Sequence, residues 1–147
     1  MYAQGGSRDV INKVIRYYFD AKEDYRLAAK RAPTGEIRQE LERLVIDREK
    51  FHMQLQHEIT RHGVEMSDNG TAAADLKRDW ERLRGSIAGH GFDAALKLGD
   101  QSDAHALEQI GLLATRDLPA ELRAILDRHA DELRQTRSRV HEMKSHT

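Results

Sequence analysis

Residues 63–91 read GVEMSDNGTAAADLKRDWERLRGSIAGHG. The stretch opens on Gly63, passes a loop at Ser67-Asp68-Asn69-Gly70, and closes on Gly89-His90-Gly91. Between these breaks Thr71 can cap a helix carrying Leu76, Trp80, Leu83 and Ile87 on one side, spaced by three and four. Such a stripe packs its helix against its own domain more often than against a partner. A connection holding a helix of about 17 residues can carry the chain from one end of a helical bundle to the other.

The flanking segments are long helical patterns. Ser7 or Asp9 can cap the first, which runs to about Arg31 with Val10, Val14, Tyr17, Ala21, Tyr25 and Ala28 facing inward. Ala32-Pro33-Thr34 breaks it, and Thr34 can cap the second. That helix turns Ile37, Leu41, Leu44, Val45, Leu55 and Ile59 inward and ends at Gly63, a left-handed C-terminal glycine. The third carries Phe92, Leu96, Gly99, Ala106, Leu107 and Ile110; the fourth, capped by Asp117 after the 116–119 turn, carries Leu122, Ile125, Leu126, Leu133, Val140 and Met143. No segment has strand period. Two tight turns and one long crossover predict an all-α, ferritin-like four-helix bundle with an additional short helix in the crossover. Residues 9–145 are read as one domain behind a flexible N-terminus at 1–8. A plain antiparallel bundle with an appended fifth helix is the alternative.

Composition narrows the function. The 147 residues suit a single domain. A net charge of −1 gives no electrostatic case for nucleic acid or an anionic membrane. No cysteine is present, which excludes disulfides, thiolate metal sites and cysteine nucleophiles. No apolar run approaches a membrane span and no signal-peptide core precedes the first helix, so a cytoplasmic protein is expected. Phosphate loops and nucleophile elbows are missing. His57, His62, His90, His105, His141 and His146 fall on polar faces, ends or loops, and the basic runs at 77–84 and 134–139 read as solvated faces.

One motif points to metal. Glu49-Lys50-Phe51-His52 is a Glu-x-x-His, half of a carboxylate di-iron site. His52 lies near the centre of its helix's apolar stripe, whereas Glu49 sits at the edge. Counting levels from the Pro33 turn puts Val14 opposite His52, with Tyr17 and Tyr18 also close, and leaves Asp24 roughly 15 Å away along the axis. The fourth helix has only the reversed order, His129-Ala130-Asp131-Glu132. Di-iron oxidase or ferroxidase chemistry is therefore disfavoured. The same count gathers Asp24, Arg48, Asp103, His129 and Glu132 within about two turns. Asp24, Asp103, His129 and Glu132 are candidate ligands for iron, manganese or zinc, with Glu49 and His52 secondary. The favoured reading is a buried ion-pair layer, because the Arg48 guanidinium repels a cation and occupies the acids.

The chain resembles a bacterial ferritin-like family known as domain of unknown function 2383. The resemblance rests on Glu23-Asp24-Tyr25, Ala28-Ala29, Arg48, Phe51, Leu55 and Gly63. It continues through Asn69-Gly70-Thr71, Lys77-Arg78-Asp79-Trp80, Leu83, Gly89, Asp103 and Leu118-Pro119-Ala120-Glu121-Leu122. It departs at Arg137, where that family tends to carry a histidine, and at His52, which the family does not require. The resemblance implies the bundle with its helical crossover and no reaction. The expectation is a non-enzymatic structural or interaction protein without a cofactor, able to self-associate through a bundle face; the alternative is a metal-binding bundle.

Overall fold

The structure, a computed structural model, describes residues 2–62, 73–85 and 91–144. All its regular elements are helices: α1 (Tyr2–Lys30), α2 (Gly35–Arg61), α3 (Ala73–Arg84), α4 (Phe92–Leu112) and α5 (Ala120–Lys144). None of the described helices is long and apolar enough to cross a membrane.

Thr34 caps α2 as expected. Its extended backbone (φ −135°, ψ 158°) lets Oγ1 accept from the Ile37 amide at 3.1 Å. At the other end of α2 the described cap is His62, and the Gly63 C-cap lies outside the described residues, as do Thr71 and the glycine stop at 89–90. α5 starts at Ala120, with the Pro119 carbonyl accepting from the Arg123 amide. α1 starts at Tyr2, ahead of both expected caps, so residues 2–8 are helical rather than a loose leader. Tertiary contact explains the extension, since Ser7 is buried and the Arg116 guanidinium lies over the bare Gly6 backbone.

α1 packs beside α2 and α4, and α5 beside the same two helices, so α1 and α5 face each other across one diagonal and α2 and α4 across the other. α3 lies on α1. Tyr17 stacks on His105 and Tyr25 packs on Gly99, so α1 and α4 run antiparallel. α1 and α2 are antiparallel through their short turn. α2 and α4 therefore share a direction, and the connection containing α3 must travel the length of the helices.

α1 touches three helices, which widens its buried arc. Ile11, Ile15 and Tyr18 are as buried as the stripe read from periodicity. The core is divided. One apolar cluster gathers residues such as Val14, Leu55, Ile110 and Leu126; the other gathers Ala21, Leu41, Leu96 and Val140. Buried Arg48 on α2 and buried Gly99, Asp100, Ser102 and Asp103 on α4 fall between them in sequence.

Candidate functional site

The gap between the two clusters is filled by polar side chains. Arg48 is 1% exposed and Asp103 0%. The guanidinium grips the carboxylate with both ends: Nε donates to Oδ1 and Nη2 to Oδ2, each at 2.9 Å. This pair spans the α2–α4 diagonal, a distance that suits a long side chain. The Tyr25 hydroxyl donates to Asp103 Oδ2 at 2.6 Å. Gly99 makes that approach possible, because a Cβ there would stand 2.3 Å from the Tyr25 ring. Burial raises the Tyr25 hydroxyl, reinforced by Asp103, so it stays a donor. Burial opposes the charge on Arg48, but Asp103 outweighs it and holds the guanidinium protonated.

Asp24 is equally buried but does not meet Arg48. Its Oδ1 accepts from Trp80 Nε1 at 2.8 Å and Arg84 Nε at 3.1 Å. Its Oδ2 accepts from Ser102 Oγ at 2.7 Å and Arg84 Nη2 at 3.3 Å. The crossover helix thus supplies the countercharge. Burial raises the Asp24 pKa, and Arg84, Ser102 and Trp80 work against that rise. By charge pattern alone Arg84 belongs to the solvated run at 77–84. A signal for it was present: Leu76, Trp80 and Arg84 recur every four residues, one face of a helix. Leu83, expected inward, is 52% exposed instead.

His129 sits across the other diagonal. Tyr18 Oη lies 2.8 Å from Nδ1, Gln54 Oε1 lies 2.9 Å from Nε2, and Phe51 stacks on the ring with centroids 4.0 Å apart. Burial, helped by the positive charges of Arg128 and Arg48, pushes His129 down to about 3. A neutral ring fits both contacts if Tyr18 donates to Nδ1 and Nε2–H donates to Gln54; that tautomer is assigned from the network. Arg48 also covers the Phe51 face, 4.9 Å from its centroid, which joins the histidine and the ion pair into one layer.

The other predicted ligands lie elsewhere. Glu132 is exposed, because its helical position puts it beside Leu133 on the outer edge of α5. Glu49 is exposed and paired with Lys22 at 2.8 Å, so it is not turned to the core. His52 is half-buried, with Nε2 unpartnered. Its level lies near Tyr18, which packs on the adjacent Phe51, about one turn along α1 from Val14. Side chains lean toward the N-terminus of their own helix, so contacting residues in an antiparallel pair sit further along both chains than backbone counting gives.

Asp100 on α4 is a further buried acid that sequence reasoning missed. Arg137 Nε donates to its Oδ1 at 2.9 Å and His141 Nε2 lies 3.7 Å from Oδ2. Arg137, like Arg84, came from a run read as solvated.

Together these observations define an all-helical protein whose core is crossed by a layer of mutually satisfied ionic and hydrogen-bonding groups. Residues 7–115 match the family described as Domain of unknown function (DUF2383), and the chain belongs to that family. The match spans α1 to α4 and stops before α5, so it says nothing of His129 or of Arg137. No curated protein and no solved structure matches the chain.

Proposed function

We propose that the protein is a ferritin-like four-helix bundle with a structural or protein-interaction role rather than a catalytic one, its polar layer serving to select the pairing of its helices. The observation that carries this reading is the saturation of the layer. Asp103 receives three hydrogen bonds and Asp24 four, all from other helices of the same chain. A substrate or ion entering here would have to displace buried donors. Apolar faces of Leu, Ile and Ala tolerate alternative pairings; charged partners across the α2–α4 diagonal do not. Association with a second copy is part of the same reading. It draws on Ile46 and Met53, seven residues apart on α2 and 55% and 63% exposed.

Metal analysis of protein purified without an affinity tag tests the reading. The expected result is the same iron, manganese and zinc content in wild type and in Asp103→Asn, with helicity checked by circular dichroism. A stoichiometric metal lost from a folded Asp103→Asn variant would instead favour the metal-binding alternative, with Asp103 among its ligands.

A further inference from the structure

A second group of ligand-type side chains lies outside the core layer, where the end of α2 meets the start of α5. Among the described residues, Glu58, His62 and Glu121 bring one donor atom each to within 4.8 Å of one another. Glu58 and His62 are four apart on α2, so they share a face one turn apart. Glu121 arrives from the first turn of α5. His62 Nε2 stands 3.2 Å from Glu58 Oε2 and 3.7 Å from Glu121 Oε2.

Close as they are, His62 Nε2 and Glu58 Oε2 form no hydrogen bond with each other. Glu58 is 7% exposed, yet its Oε2 is buried without a hydrogen-bond partner, and so is His62 Nε2. Leaving a buried carboxylate oxygen unmet is costly. Two lone-pair atoms that converge without a usable hydrogen bond between them are arranged for an electrophile. A tetrahedral ion bound at about 2.0–2.1 Å sets its donors about 3.4 Å apart. The two observed separations bracket that value.

One cation already competes. Arg61 Nη1 lies 2.7 Å from Glu121 Oε2 and 3.6 Å from Glu58 Oε1. The parallel with Arg48 ends at exposure. Arg48 is locked in the core, whereas the Arg61 side chain is 55% exposed and can swing into water. With His62 neutral, the two glutamates and Arg61 leave one net negative charge, and without Arg61 they leave two.

We propose that Glu58, His62 and Glu121 form a binding site for a first-row divalent transition ion of the zinc type, displacing Arg61 and joining the end of α2 to the start of α5. One imidazole and two carboxylates are borderline donors that suit such an ion, and three protein ligands leave one position for water. The site is separate from the core layer and does not depend on how that layer is read.

The test is zinc(II) titrated into metal-free, untagged protein by calorimetry, with thermal unfolding measured in parallel. The expected result is one ion per chain and a Tm that climbs with free zinc, as ligand binding to the native state requires. Glu58→Gln and His62→Gln should each weaken binding by about tenfold or more. Glu58→Gln removes no histidine, so it separates this site from incidental binding by the surface imidazoles. Arg61→Gln should bind more tightly than wild type, a gain that no folding defect can imitate. Absence of one-to-one binding, binding indifferent to Glu58→Gln and His62→Gln, or an Arg61→Gln affinity no higher than wild type would each overturn the proposal.

Discussion

Replacing Arg48 with methionine keeps most of the side-chain volume and removes its charge, leaving Asp103 without its countercharge in a site with no access to water. Charges about 4 Å apart at an effective dielectric near 20 interact by about 4 kcal/mol. That agrees with the roughly 3–5 kcal/mol by which breaking a buried pair destabilises a protein. Tyr25 still donates to Asp103 in the variant, so the lower part of the range, about 3 kcal/mol, is expected for Arg48→Met. Asp103→Leu strands both Arg48 and Tyr25 and should cost about 5 kcal/mol. The double variant carries no buried charge at this position and leaves only the Tyr25 hydroxyl unmet, a cost of about 1–3 kcal/mol. Its destabilisation should therefore fall well short of the sum of the two singles, by on the order of 3 kcal/mol or more. Urea denaturation followed by far-ultraviolet circular dichroism measures all four proteins, with stabilities taken by linear extrapolation. Additivity within about 0.5 kcal/mol would refute the reasoning, because it would show that the two groups do not act as a pair in the folded protein.

Gly99→Ala should destabilise by about 1–3 kcal/mol from the collision with the Tyr25 ring. Adding Tyr25→Phe to it should then cost less than Tyr25→Phe alone, and equal costs in denaturant titrations would contradict the notch. His129 is held neutral by burial, with its pKa down at about 3 against an ordinary 6.5, so as pH falls the unfolded chain takes up the proton first. Its contribution to stability is complete above about pH 6.5 and is lost at up to about 1.4 kcal/mol per unit toward pH 3. His129→Gln should flatten that part of the wild-type profile. Asp20 has the opposite sign: burial pushes it up to about 6, so its contribution is complete below about pH 4 and is lost as pH rises through 6. Asp20→Asn should accordingly be more stable than wild type at pH 7 by chemical denaturation.

The five described helices were legible because their causes are local. Thr34 offers a cap, Pro33 interrupts a helix, and a residue's turn of about 100° sets which face it joins. That same rule was enough to turn Arg48, Asp24, Asp103 and His129 inward. It was enough for Arg84 too, had the four-residue spacing from Leu76 been followed in place of the charge run around it. Partnership was not legible. Asp24 takes Arg84 and Asp103 takes Arg48 because the crossover lays α3 on α1 while α2 and α4 oppose each other across the core. Glu58, His62 and Glu121 meet for a similar reason: α2 and α5 are antiparallel neighbours, although Glu58 and Glu121 are far apart along the chain. Periodicity specifies direction around a helix axis. Height along it, and which helix stands opposite, depend on packing between segments far apart in sequence and on where long side chains lean as they meet.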